Sequence, residues 1–378
     1  IIRYIEPDAD NYIFRANANI PPYIFMALIV SLFLGFMVSA EEIFKDRKIL
    51  KREAFLNLSR SSYLISKILI LFFISAIQAF LFVLVANLVL EIRGLFFEYW
   101  FALFTISAFA NMLGLNISSA FNSAVTIYIM IPLLMIPQMA LGGAMFSFDK
   151  LNRDISSVDK VPVIAEFIAS RWCYEALMVK QFRDNEFEKH FYQIDRAVSI
   201  GSYRGTKWTE EMEKRVDKAL QSIQSNNDSI LEASKDEFEL LRHELNRENK
   251  RNNRINFSGV SRINTKQFNP QLADSLLTYL DKIKDYYETI ALKARKKKDA
   301  MIMKLDSKNP QLYIQQQNKY HNEAVSDIVK NIYMKQVVEY DNKLVRQRDP
   351  IFRYPEVEHA LDFRSHFFAP QKHFLGMY

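Results

Sequence analysis

The chain has 378 residues, 49% of them hydrophobic, with a formal net charge of +6 and a mean hydropathy of −0.09. That mean conceals a split: residues 1–147 carry ten Lys/Arg and nine Asp/Glu, while residues 148–378 carry the other 39 and 34. A uniform soluble globule is excluded, and nine glycines speak against a glycine-rich nucleotide fold. The single cysteine, Cys173, excludes a disulfide framework and a cysteine-based zinc site. The chain begins Ile-Ile-Arg and lacks a signal-peptide layout, so it reads as a piece of a longer protein.

The first apolar run, Tyr23 to Ala40, holds ten Leu, Ile, Phe or Val among eighteen residues. These contribute about −3 to −6 kcal/mol toward insertion, enough to carry Ser31 and Ser39. Pro21 and Pro22 precede the run, where a helix start tolerates proline. The second run, Ile68 to Leu90, holds seventeen such residues and no charge. Gln78 and Asn87 lie inside it and are expected to hydrogen-bond a neighbouring helix. The third run, Tyr99 to Phe148, is fifty residues without a charge, long enough for two spans. A turn is placed near 118–122, and Pro132 and Pro137 imply a kink or break in the last span. Four spans follow: about 21–40, 62–90, 99–119 and 122–147, forming a transmembrane domain over 21–147. Segment 41–67 contains seven Lys/Arg and segment 91–98 only Arg93, which places 41–67 in the cytosol and residues 1–20 and everything after 148 outside.

The cytosolic loop, 41–61, mixes Ile43, Phe44, Ile49, Leu50, Phe55, Leu56 and Leu58 with charges at near-helical spacing. It predicts a short amphipathic helix at the membrane face or against a cytosolic partner. An acidic start (Glu41, Glu42), a basic stretch, Lys51-Arg52-Glu53, then Ser61-Ser62-Tyr63-Leu64-Ile65-Ser66-Lys67 before a long apolar helix resembles the permease of G-subfamily (White-type) ABC transporters. A second match, VIAEFIASRWCYEALMVKQF at 163–182, is similar to that family's outer element before its last helix, through Arg171, Trp172, Tyr174, Glu175, Ala176, Leu177 and Phe182.

The resemblance covers about 15–182. It implies that Lys51, Arg52, Glu53 and Phe55 form the coupling to an ATPase domain, and that Arg171, Trp172, Tyr174 and Glu175 sit in a re-entrant-like outer element spanning 148–182. It also implies an ABC ATPase domain, fused or separate, carrying ATP and Mg outside this chain, and a homodimer in membrane lipid. An ATPase domain and a first helix are expected before Ile1 and a last helix after Tyr378. The family's outer segment is short, whereas here some 190 residues follow Phe182.

That tail reads as an extracytoplasmic helical domain over 183–348 and a return segment over 349–378. From Glu210 to Asn249 there is no Gly or Pro, and Val216, Leu220, Ile223, Ile230, Phe238, Leu241 and Leu245 make a heptad-like stripe, with Glu244 off it. Further helices are expected over 270–306 (Leu272, Leu276, Tyr279, Ile283, Tyr286, Ile290) and 311–346 (Tyr313, Tyr320, Ile328, Ile332, Val337). The fold class is therefore all-α: a polytopic membrane domain plus a coiled-coil hairpin or bundle that could dock a periplasmic partner. The basic run Arg295–Lys298 sits among interleaved acids and reads as a solvated face rather than a nucleic-acid site. His359, His366 and His373 are too widely spaced, with Pro370 between the last two, to be taken as a metal site.

No G-x-x-x-x-G-K-[ST], H-E-x-x-H or G-x-S-x-G occurs, and no catalytic residue is assigned. The sequence reads as the permease region of an ATP-driven ABC exporter in the plasma or inner membrane, with a lipid-like or hydrophobic cargo. The alternative is a non-transporting scaffold or signalling protein, whose spans only anchor a periplasmic interaction domain.

Overall fold

The computed structural model describes residues 12–53, 59–148, 157–158, 160–225, 234–354 and 364–372, with Leu151 and Glu232 besides. The chain forms two compact units, one of residues 1–189, 314–329 and 355–378, the other of 190–313 and 330–354.

In the first unit α1 runs Ile20–Ser39 with proline at its start, where the missing N–H removes no intrahelical bond. Next come α2, Glu42–Glu53, and α3, Arg60–Leu90, the latter capped by the Ser59 hydroxyl and closed by Glu91 at φ 57°. Phe96–Ala120 forms α4 and Ala124–Ala140 forms α5. Three helical stretches are long and apolar enough to cross a membrane: 20–52 counted through α2, 60–90 and 96–120. The fourth expected span is shorter than 122–147. It continues through Pro132 and Pro137 but ends at Ala140, before Gly142 and Gly143, the latter at φ +82°.

The central pair is α1 and α4. Ile24, Leu28, Leu32 and Phe36 of α1 are fully buried. A Cβ added at Gly35 would lie 2.6 Å from the Ser107 carbonyl oxygen, and one at Gly114 would lie 1.9 Å from Ser39 Oγ. Only glycine permits this approach, which is how apolar helices associate where lipid is as apolar as they are. Between α3 and α4 the bonds come from residues other than those anticipated. Ser107 Oγ donates to Ser75 Oγ at 2.9 Å, and the Asn111 amide donates to Ser75 Oγ at 2.8 Å and the Leu71 carbonyl at 3.3 Å. Asn87 is buried, and its side-chain amide has no partner among the described residues. The outward side of α3 leaves Leu69, Phe73, Val85 and Leu88 exposed, an apolar surface of the kind a span offers to lipid or to another helix.

The first unit also holds α6, Val163–Glu166, α7, Ala169–Arg183, and the start of α8, Glu188–Ser202. The third expected tail helix, 311–346, does not form. Its first part makes α12, Leu312–Tyr320, and α13, Glu323–Lys330, broken at His321-Asn322. Asn322 explains the break: its Oδ1 caps α13 through the Val325 amide at 3.0 Å, and its Nδ2 donates to the Phe14 and Asn17 carbonyls, both at 2.8 Å.

In the second unit a π-turn, Tyr203–Trp208, joins α8 to α9, Thr209–Gln224. Then follow α10, Lys235–Arg251, and α11, Pro270–Lys308, started by the Asn269 cap. The expected 210–249 stripe is thus divided between α9 and α10, and Ile230 lies outside the described residues. Rather than one extended seam, Val216, Leu241, Leu245, Leu276 and Ile283 close a single core around Trp208. The end of the third expected helix is a β-hairpin, β1 Val337–Tyr340 paired antiparallel with β2 Lys343–Arg346. Asp341 and Asn342 turn it at φ 50° and 52°, the two positive values a type I′ turn demands.

Glu244, expected off the stripe, is fully buried. Trp208 Nε1 donates to it at 2.8 Å, Arg247 at 2.6 Å and the Leu344 amide at 3.2 Å. Beside it Glu248 accepts from Tyr287 Oη at 2.5 Å and from Arg251 at 3.1 Å, with Arg204 at 3.3 Å. Burial alone would raise the Glu244 pKa, but Arg247, Arg204, Trp208 and the Leu344 amide outweigh it and hold the group below its ordinary value.

For a segment of residues 190–354, Leu241→Asp should cost several kcal/mol, because it buries an unpaired charge. Glu244→Ala should also destabilise, by about 1–3 kcal/mol, by orphaning its donors. Because the folded Glu244 pKa is lowered, its stabilisation is full above about pH 4.5 and disappears as pH falls through the lowered value. Urea melts at pH 7 and pH 3 should show the gap between wild type and Glu244→Ala narrowing in acid.

Candidate functional site

Two polar constellations stand out in the first unit, and each contains one of the stretches singled out in the sequence. The first fixes α2. From α3, Lys67 Nζ reaches Glu42 at 2.7 Å and Asp46 at 2.9 Å, and Tyr63 Oη donates to Asp46 at 2.8 Å. The Lys67 ammonium draws the Asp46 carboxyl below its usual range, against burial and with help from Tyr63. On another face of α2, Arg47 donates to the Ser119 carbonyl at 2.6 Å, the Ser118 carbonyl at 3.3 Å and the Asn122 side chain. The Phe44 amide donates to Ser118 Oγ at 2.9 Å.

Thus α2 is tied both to the start of α3 and to the α4–α5 turn. Each half-exposed ion pair contributes only about 0.2–1 kcal/mol. Several on one short helix, reaching two different elements, fix its orientation. The position of α2 is therefore set jointly by the start of α3 and the α4–α5 turn.

Of the residues picked from the sequence, Lys51 and Arg52 are exposed in the last turn of α2 and Glu53 ends the helix. Phe55 lies outside the described residues. Lys51 and Arg52 thus present themselves outward, while the ties are made by Glu42, Asp46, Arg47, Tyr63 and Lys67. A signal for these existed: Glu42 and Asp46 are four apart on one helix, and so are Tyr63 and Lys67 on the next.

The second constellation lies in α6 and α7. Arg171 is fully buried. Its Nη1 donates to Glu175 at 2.7 Å, its Nη2 to Glu166 and its Nε to the Ala165 carbonyl at 3.0 Å. The guanidinium stacks on Trp172, 3.8 Å from the ring centre, and Trp172 Nε1 donates to the Glu166 carbonyl at 2.9 Å. Lys372 Nζ closes the cluster on Glu175 at 2.5 Å and Ser365 Oγ at 2.6 Å. Two acids meet two bases, with Arg171, Glu166 and Glu175 buried and Lys372 partly exposed at the edge. All four residues picked here are brought together except Tyr174, which faces the other way and packs edge-on to Phe25 of α1, ring centres 5.6 Å apart. Lys372 and Ser365 were missed because nothing local in the sequence pairs residues so far apart; Glu166, five residues before Arg171, was within the quoted stretch and was missed although it is local.

The α7 helix is locked to the central helices. The Ser170 amide donates to Gln138 Oε1 at 3.0 Å and its hydroxyl to the Gln138 carbonyl at 2.6 Å; Tyr99 Oη donates to Gln181 at 2.9 Å. Chemically the cluster is a structural brace: an ion set saturated by its own members, with no free nucleophile. Among the described residues no group of three or more His, Cys, Asp or Glu is placed to hold a metal ion, and of the three spaced histidines only His366 is described.

Arg171→Ala should strand the buried Glu166 carboxylate and leave Glu175 to Lys372 alone, costing about 3–5 kcal/mol, as breaking a buried pair does. Arg171→Lys keeps the charge but cannot serve both acids and should fall between. Thermal survival of the detergent-extracted protein, read by size exclusion, checks this ranking; a midpoint unchanged in Arg171→Ala would sink the brace.

No curated protein and no solved structure is similar enough to the chain to count as a match. Residues 8–182, somewhat less than half of the chain, match the family model described as ABC-2 type transporter. That stretch contains the three membrane-length helical segments, the first constellation and the α6–α7 part of the second; it is similar to the membrane domain of ABC-2 type transporters, and its long apolar helices are those of a multi-pass membrane domain.

Proposed function

We propose that the chain is the permease part of an ATP-driven exporter of the G-subfamily type, in which α2 is the coupling helix. The carrying observation is that α2 is tied to both α3 and the α4–α5 turn, while Lys51 and Arg52 stay exposed for a partner. An ABC ATPase domain, fused or separate, docks there with Glu53 and Phe55 at the contact. It supplies ATP and Mg, and its closure moves α2. Two copies form the pathway as a homodimer. The cargo is lipid-like or hydrophobic, because the spans carry no ionisable group in their central stretches. The α2 loop faces the cytosol. Residues 183–370, including the inserted helical domain, lie outside, where the domain docks a periplasmic or surface partner.

Sidedness is testable with single cysteines at Ser61 and Ser275 in a Cys173→Ser background. An impermeant thiol reagent on intact cells should label Ser275→Cys and spare Ser61→Cys; the reverse pattern would invert the topology. Coupling is testable in the full-length protein with its ATPase. Lys67→Ala and Arg47→Ala should leave basal hydrolysis intact and lower cargo-stimulated hydrolysis by about tenfold, a coupling loss of ~1.4 kcal/mol. Stimulation unchanged in both would remove the coupling role and leave the anchoring reading.

A further inference from the structure

The basic run on α11 is not absorbed by the second unit's core. The first half of α11 is buried through Leu272, Leu276, Leu280, Ile283 and Tyr287. Beyond Ala291 one side still rests on α8: Lys298 Nζ bonds both Asp195 oxygens at 2.6 and 2.8 Å, and Arg295 donates to Ser202 Oγ at 3.0 Å. At 100° per residue, the side opposite Lys298 carries Leu292, Lys293, Lys296, Lys297, Met303 and Lys304. All six are exposed, Leu292 at 53% and Met303 at 71%. None of the four lysines has an ion pair among the described residues; within 292–304 the one acid is Asp299, at the edge of the face, and Asp285, Glu288 and Asp306 lie beyond its ends. Leu292 and Met303 stand three turns apart, about 16 Å, with lysines between and beside them.

We propose that this face of α11 binds an anionic membrane surface, the lysines meeting lipid phosphates and Leu292 and Met303 entering the headgroup layer. The composition suits that occupant. Exposed bulky apolar groups among lysines serve interfacial insertion, whereas phosphates of a nucleic acid would leave them in water. The occupant is also always within reach, since the same chain carries membrane-spanning helices, which makes even weak binding effectively intramolecular. The lysines left without carboxylate partners are matched by lipid phosphates, each contributing roughly fivefold in affinity. The inference rests on the chain being a membrane protein, but on neither its transport role nor its sidedness.

The test uses full-length protein in vesicles, with a polarity-sensitive fluorophore on Ala300→Cys in the Cys173→Ser background and a control label on Ser275→Cys. Vesicles contain phosphatidylcholine alone or with phosphatidylglycerol, plus headgroup-nitroxide lipid as quencher. Quenching at position 300 is expected with phosphatidylglycerol, to be lost at high salt and absent at position 275. Replacing Lys293, Lys296, Lys297 and Lys304 together by Gln should abolish it, and replacing all four by Arg should retain it. Leu292→Ser with Met303→Ser should keep the salt-sensitive quenching but remove the blue shift. Equal quenching in both lipid mixtures, or in the Gln variant, overturns the proposal. So does loss of quenching when a short oligonucleotide or polyglutamate competes at low concentration, which would assign the face to a soluble polyanion.

Discussion

The close approach of α1 to α4 is what the first unit depends on. Hydrocarbon around a span offers no hydrophobic gain for helix pairing, so contact must come from packing density and from polar groups hidden between backbones. Gly35 against Ser107 and Gly114 against Ser39 provide both, since each glycine lies opposite a serine. With these two backbones drawn together, Ser107 is carried to Ser75 of α3, and α7 settles against α1, α4 and α5 through Phe25, Tyr99 and Gln138 respectively. A larger residue at either glycine would push apart the surface on which three other helices rest.

Charge is handled differently at the two polar constellations. Around α2 the ion pairs remain partly wet, so each is individually cheap to open. Around Arg171 the ions are dry and mutually saturated, so the arrangement is all-or-none. The first set can open one pair at a time, whereas the second opens only as a whole.

Much of the membrane part was legible because its physics is one-dimensional. Length without charge gives spans, and the lysine and arginine asymmetry gives an expected orientation. The polar contacts between spans were less legible: Ser75, Ser107 and Asn111 bond, while buried Asn87 does not. Which amide meets a partner depends on the angle between helices, which no single run encodes. In the second unit the stripe on α9, α10 and α11 was readable, but Glu244 was misplaced, because its partners Trp208 and Leu344 are remote in sequence. The hairpin had a local signal that helical periodicity overrode: Val337-Val338-Glu339-Tyr340 and Lys343-Leu344-Val345-Arg346 around Asp341-Asn342. In the second cluster Arg171, Trp172 and Glu175 were found through resemblance, whereas Lys372, contributed by a distant segment, was not.

The reach of these bonds also sets an order for biosynthesis. Glu244 receives the Leu344 amide from 100 residues later, and Glu175 receives Lys372 from 197 residues later. At roughly 5–20 residues per second, the second interval is on the order of 10–40 s. Throughout it, Arg171 alone faces both the Glu166 and the Glu175 carboxyl groups. Neither unit can therefore finish in the order it is made. The brace around Glu175 stays incomplete until the segment at 364–372 has been made and supplies Lys372. A chain cut short just before Lys372 would hold the three membrane-length helices described above with the brace open at Glu175, a form that quality-control proteases could tell from one that carries the lysine.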